Sequence, residues 1–239
     1  MKMKFNEQSD YKLEEKIRRE KIALLPIGAV ESHGDHLPLG TDSILAERLA
    51  AKVVERVGGM ILPTIHYAQV WSLGRRLGSI GISNDLLRET IKEIGLEVKR
   101  NGFKIFVIIN AHLGNLSAIK EAVRAIYDDE MKIYYFTYPG ADRAIGEVME
   151  GGKLYGEFFH AEEIETSYML YLAEEYVDMS KAIAGSPEVP AEISYTPIRW
   201  DEFSETSVMG DATKATREKG RYVIDSVVEY IAEILKRHL

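Results

Sequence analysis

The segment KIFVII, residues 104–109, is an unbroken apolar run behind a single lysine. Successive side chains of a strand point to opposite faces, so a strand wetted on one side would interleave polar residues. A strand that is apolar at every position must be covered on both faces, as in a parallel sheet between helices. The flanking sequence agrees. Residues 84–101 place Leu87, Ile91, Ile94 and Val98 on one helical face, and residues 116–127 form a second predicted helix. Another buried strand is predicted at 22–28 (IALLPIG), with shorter ones at 60–64 (MILPT) and 132–136. Further helices are predicted at 43–57, where Leu45, Leu49, Val53 and Val57 recur every four residues, and at 162–176 and 216–237. Strands alternating with helices imply an α/β fold with a central, mostly parallel sheet and right-handed crossovers. There is no internal repeat. Residues 183–205, rich in Pro, Ser and acidic groups, read as a long surface loop or arm, so residues 1–239 are read as one domain.

Composition narrows the function class. Lys and Arg number 30 against 38 Asp and Glu, a net charge of −8, and no basic block is present. Binding to nucleic acid or an anionic membrane is therefore not expected. With no cysteine, thiolate metal sites, disulfides and cysteine nucleophiles are excluded, and any metal must be held by nitrogen and oxygen. The first 21 residues are charged throughout, without the apolar core of a signal peptide, and no stretch approaches the roughly 20 apolar residues of a membrane span. A cytoplasmic location is expected.

Three groups of polar residues stand just after predicted strands or at helix starts, where α/β sheets bind ligands. The first, GAVESHGDHLPLGTD at 28–42, contains Glu31, His33, Asp35, His36 and Asp42. Glu31 and His33, two apart, share a face of an extended segment. Asp42 stands where a carboxylate can bridge two cations, or where it or Thr41 can cap the following helix. Carboxylate with imidazole suits zinc, manganese or iron(II). His36 reads as a support for the ligands more than as one of them. The second group, NAHLGN at 110–115, puts His112 at a strand's carboxyl end; Asn115 is a candidate helix cap, and Gly114 permits close backbone approach. The third, HAEEIETS at 160–167, offers His160 as a base with Glu165 nearby to bind metal or orient it, or is simply an acidic helix start. His66 and His238 have no such company, and His238 is expected to be exposed.

The patterns E-x-H-G-x-H-L-P-L-x-T-D (31–42), N-x-H-x-G-N (110–115) and H-A-x-x-x-E-T-S (160–167), followed by VMGDATKATREKG (208–220), resemble the creatininase (creatinine amidohydrolase) family over about residues 22–225. The resemblance implies a three-layer α/β/α fold and a hydrolase with two divalent metal ions per chain, commonly a homo-oligomer such as a hexamer. Carried over by position, it implies Glu31, Asp42 and His112 on one metal, and His33 and Asp42 on the other with Asp42 bridging. His160 would be the acid or base acting on substrate. Two positions depart from the creatinine-hydrolysing members: Gly114 replaces a metal-binding Glu, and Phe159 replaces the Glu before the third-motif His. Both argue against creatinine as substrate. Glu165 is the candidate replacement ligand, and a water is its rival.

The implied reaction is metal-assisted hydrolysis of a small polar amide, cyclic amide or formamide. Family members also open a cyclic keto-inositol by carbon–carbon cleavage, which stands as an alternative; a non-catalytic metal-binding scaffold is a further one, disfavoured by His160 beside a full ligand set. Arg75 and Arg76, in WSLGRRLGSIG, would suit a substrate phosphate or carboxylate if they border the pocket, or form an exposed turn or subunit contact. Tyr195, Ile198 and Trp200 of the 183–205 segment, or the WSLGRR segment itself, are expected at an oligomer interface.

Overall fold

A computed structural model of the chain describes residues 4–152 and 160–239. Four parallel strands form the central sheet: β1 (Ile22–Ile27), β2 (Met60–Ile61), β3 (Ile105–Asn110) and β4 (Lys132–Phe136), in the order β2-β1-β3-β4. The run at 104–109 becomes β3, an inner strand buried at all its positions, as is β1. Alternate residues of these strands feed two separate cores. Ile22, Leu24, Ile105, Val107 and Ile109 pack on one face, with α2 (Thr41–Val57), α5 (Ala141–Val148), α6 (Glu163–Leu172) and α7 (Arg217–Lys236). Ala23, Leu25, Ile27, Phe106 and Ile108 pack on the other, with α1 (Leu13–Glu20), α3 (Asn84–Arg100) and α4 (Leu116–Ala125). The fold is thus α/β, with helices on both faces of the sheet.

Several elements differ from expectation for local reasons. β2 is short because its ladder is soon replaced by single contacts: Leu62 N–H donates to Leu24 O (2.8 Å) and Ile65 N–H to Pro26 O (3.0 Å). The helix expected over 162–176 ends at Leu172, and a 3₁₀ turn follows at Glu174–Tyr176. The helix expected from residue 43 already begins at Thr41, which brings Asp42 into its first turn. Helices α1 and α5 are only eight residues each and bury few side chains, so their apolar period is faint in sequence. The 183–205 segment contains 3₁₀ turns, and a two-residue antiparallel pair, β5 (Ala184–Gly185) with β6 (Gly210–Asp211), ties its start to the strand after it.

Candidate metal centre

The carboxyl ends of β1 and β3 open on one side of the sheet, and the 28–42 loop folds back over them. Gly28 makes this possible: a Cβ there would lie 2.2 Å from Ser43 N, so only glycine lets the end of β1 meet the start of α2. The loop is closed by Glu31 N–H donating to Leu39 O (3.0 Å) and by Thr41 Oγ1 donating to Pro38 O (2.7 Å). The residue at the N-cap of α2 is Gly40, with no side-chain cap, so the Asp42 carboxylate is not spent on capping.

Glu31, His33, Asp42, His160 and Glu165 are all buried, and the His112 side chain nearly so. The three histidines share one arrangement. His33 Nδ1 lies 3.0 Å from Glu31 O, His112 Nε2 lies 2.6 Å from Gln69 O, and His160 Nε2 lies 2.8 Å from Ser32 O. A carbonyl oxygen can only accept, so each ring donates one N–H to backbone and turns its other nitrogen inward. There, His112 Nδ1 is 3.1 Å from both Glu31 Oε1 and Asp42 Oδ2. His33 Nε2 is 3.4 Å from Asp42 Oδ1 and 3.7 Å from Glu165 Oε2, and His160 Nδ1 is 3.8 Å from Glu31 Oε1.

These donors fit divalent cations. Two ligands about 2.1 Å from one ion stand roughly 3–3.5 Å apart, the scale of these separations. Among the described residues His33 Nε2 and Asp42 Oδ2 find no partner that meets hydrogen-bond geometry although both are buried, which is costly unless something else fills their lone pairs. Among the described residues three donor groups form, each with its atoms within 4.8 Å of one another: Glu31–Asp42–His112, His33–Asp42–Glu165 and Glu31–His33–His160. Asp42 belongs to two of them.

Burial disfavours charge on His33, but the Asp42 and Glu165 carboxylates outweigh it and raise its pKa to about 10. His112 is likewise raised well above its usual value against burial, by Glu31 and Asp42. Burial works against ionised Asp42, yet His33 and His112 hold it well below the usual carboxylate range; Glu31 is lowered against burial mainly by His112. Glu165 is raised, because burial exceeds the pull of His33 and His160. His36 is pushed down to about 4 by burial and by the charge of His33, so it is neutral. Its Nε2 is paired with Thr166 Oγ1 (2.9 Å), linking the loop to α6, and it belongs to none of the three donor groups.

Asn115 does not cap α4: its Nδ2 donates to Gly28 O (2.9 Å) and Asn110 Oδ1 (3.1 Å), pinning β1 to β3 beneath the site. Gly114 has no room for a side chain, since a Cβ would come within 2.5 Å of His112 Nε2 and 2.7 Å of Gln69 Oε1. At the start of α6, Glu162 caps the helix by accepting from Ile164 and Glu165 N–H, whereas Glu165 turns to the donor cluster and accepts from Ala161 N–H (2.6 Å). Arg75 and Arg76 do not line the pocket: Arg75 N–H donates to Asp201 Oδ2 (2.9 Å), and the Arg76 guanidinium donates to Ser204 O. Asp35, His66 and His238 are exposed. Phe159 lies outside the described residues.

All of these donors except the fully buried His33 line a pocket of about 250 Å³ whose walls include Gln69, Ser72, Thr137, Tyr138 and Trp200. Sequence reasoning missed Gln69, Thr137 and Tyr138, which carry no motif. The Trp200 ring, expected at an interface, packs against His160 with centroids 5.8 Å apart. Tyr195 is the member of that trio left in water, 89% exposed.

Residues 6–235 match the family model for creatininase, described as creatinine amidohydrolase. Creatinine amidohydrolase of Pseudomonas putida is 25% identical over 230 residues, covering 90% of this chain and 88% of that protein. The mycofactocin precursor peptide peptidase of Mycolicibacterium smegmatis is 26% identical over 226 residues, covering 90% of this chain and 85% of that one. A solved manganese creatininase superposes with a TM-score of 0.88 at 22% identity, covering 99% of this chain and 98% of that chain, which establishes the shared fold.

Proposed function

The chain belongs to the creatininase family, and from that premise we propose that it is a metal-dependent hydrolase of a small polar amide, cyclic amide or formamide other than creatinine. The observation that carries this reading is the common arrangement of His33, His112 and His160. Each spends one N–H on a backbone carbonyl and faces the other nitrogen to shared carboxylates. Glu31, Asp42 and His112 would hold one divalent cation; His33, Asp42 and Glu165 would hold the second. Zinc, manganese and iron(II) all suit such nitrogen and oxygen donors. When bound, such a pair supplies a water ionised near neutral pH and a Lewis acid for a carbonyl oxygen.

The protein's own residues do the rest. His160, with Nε2–H committed to Ser32 O, has Nδ1 free to accept a proton and pass it to the leaving nitrogen. Gln69 O and Ser32 O fix the rings of His112 and His160, so the donors need no reorganisation when substrate arrives. The edge of Trp200 walls the pocket beside His160, and the small volume favours a small substrate. Support for carbon–nitrogen cleavage comes from the amidohydrolase and peptidase relatives. Ring opening of a cyclic ketone would use the same donors and stands second.

Elemental analysis of protein purified without chelator, followed by a turnover screen on formamides, cyclic amides, short peptides and keto-inositols, tests the reading. About two ions per chain and a turnover abolished by chelation are expected. Protein that takes up no divalent cation overturns it. Among the described residues no helix is long and apolar enough to cross a membrane. We also place the protein in the cytoplasm as a homo-oligomer, hexameric on the family pattern. Light scattering showing only a 27.0 kDa monomer would contradict that assembly.

A further inference from the structure

Tyr138 concentrates two local costs at the pocket wall. It follows β4 with φ of 45°, the left-handed region that a side chain with a Cβ enters only under constraint. Its hydroxyl is buried and has no hydrogen-bond partner among the described residues, and the residue as a whole is 8% exposed. A buried O–H without a partner is uncommon in folded proteins and calls for a partner that arrives later. Tyr168 gives an internal contrast. The two rings pack with centroids 5.0 Å apart, and Tyr168 Oη is also unpartnered, but Tyr138 lines the pocket with Asp42, His112, His160 and Glu165, whereas Tyr168 does not.

A phenol titrates near pH 10, so this hydroxyl is an O–H donor at neutral pH. The neighbouring carboxylates are acceptors turned towards imidazole nitrogens. A carbonyl oxygen that gains negative charge during hydrolysis needs a donor, and Tyr138 brings one from the end of β4, the edge strand beside β3. Resting on the hydrolase reading above, we propose that Tyr138 Oη is a substrate-facing hydrogen-bond donor. It binds the oxygen of the scissile carbonyl and bonds it more strongly as charge builds there. No bond is made or broken at Tyr138, and its proton stays on the phenol.

Acetohydroxamate, a small metal-chelating carbonyl analogue, is the probe. Its affinity for metal-loaded wild type, Tyr138→Phe and Tyr168→Phe is measured by calorimetry, with metal content and Tm recorded for each. Tyr138→Phe should weaken the probe roughly tenfold, the scale of one hydrogen bond in a dry site, with metal content unchanged and Tm of the probe-free protein unchanged or higher. Tyr168→Phe should leave probe affinity at the wild-type value. Equal affinity for wild type and Tyr138→Phe would mean that buried water satisfies the hydroxyl, and would overturn the proposal. Loss of metal from Tyr138→Phe would overturn it too, by showing that the residue supports ligands instead. Wild type that holds no metal would instead bring down the hydrolase reading itself. A crystal structure of the wild-type complex gives an independent check. Tyr138 Oη should lie about 3 Å from a hydroxamate oxygen, and a separation beyond about 4 Å overturns the proposal even if the variant cannot be prepared.

Discussion

The pocket at the carboxyl ends of β1 and β3 and the outer surface of α3 both gather charges, with opposite consequences. On α3, Arg88, Glu89 and Lys92 form ion pairs, such as Lys92 Nζ to Glu89 Oε2 at 3.0 Å, with side chains 34% and 46% exposed. Water screens these pairs, and each group gives up little hydration to make them. In the pocket, His33 and Asp42 are 3.4 Å apart with side chains 0% and 2% exposed. There the field is barely screened, so neighbours reset which group holds a proton, and the orphaned His33 Nε2 and Asp42 Oδ2 are left for a ligand. Proximity of opposite charges is therefore uninformative by itself; desolvation together with unmet valence separates a site from a decorated helix.

Substitution at the pocket should break this contrast most sharply. Asp42→Ala removes a carboxylate that belongs to two donor groups, as Glu31 also does, and should lose metal and all measurable turnover, as read by elemental analysis and assay. His160→Ala should keep fold and metal and lose roughly 10²–10⁴ in turnover, the scale of general acid–base catalysis. If His160→Ala released metal as readily as Asp42→Ala, His160 would be a ligand and not a proton carrier.

A smaller effect is the coupling of metal to protons. Without a bound cation, the surrounding carboxylates raise the pKa of His33 to about 10 and that of His112 well above its usual value, which favours the protonated rings. A cation must displace those protons, and its affinity should rise with pH, about tenfold per unit for each proton released. Calorimetry at pH 7.5 in buffers of different ionisation enthalpy should find one to two protons released per chain; none would show that these nitrogens are not the ligands. Stability follows with a defined sign. A histidine whose pKa is higher in the fold than its unfolded value near 6.5 stabilises the metal-free protein fully below that value. The contribution is lost as pH rises towards 10, so metal-free protein should lose Tm over this range while metal-loaded protein changes less.

The smallest effect belongs to α3. Glu89→Ala or Lys92→Ala should shift Tm by no more than about 1–2 °C and leave metal content untouched. A larger shift would mean that this surface network is coupled to the fold in a way that its exposure does not suggest.

Much of the site was legible before any coordinates because its chemistry is unusually local. Glu31, His33 and Asp42 come from one twelve-residue stretch that runs into α2, and no cysteine competes for the ligand role. Gly114 was visible as a departure, but only packing shows why it stands there: His112 and Gln69 occupy the space a side chain would need. Gln69, Thr137 and Tyr138 left no sequence signal, because Gln69 meets His112 through a backbone carbonyl that any residue could supply, and Thr137 and Tyr138 reach the pocket wall only once the sheet and its loops are assembled. Asn115 was misread as a cap because asparagine before a helix usually caps it; here the amide is drawn instead to Gly28 O and Asn110 Oδ1.

By itself, the sequence determined the alternation of strands and helices, the doubly buried β3 and the presence of oxygen and nitrogen donors at strand ends. Each of these follows from residue type and period along a few turns of chain. The tertiary structure alone decided that His112, His160 and Glu165 meet the 31–42 loop, which nitrogen of each ring faces inward, and that Trp200 and Tyr138 wall the pocket. Those outcomes depend on carbonyls and side chains from distant elements, and on the exclusion of water that their packing brings. Residue spacing specifies a face, whereas desolvation and hydrogen-bond assignment arise only once the faces have closed on one another.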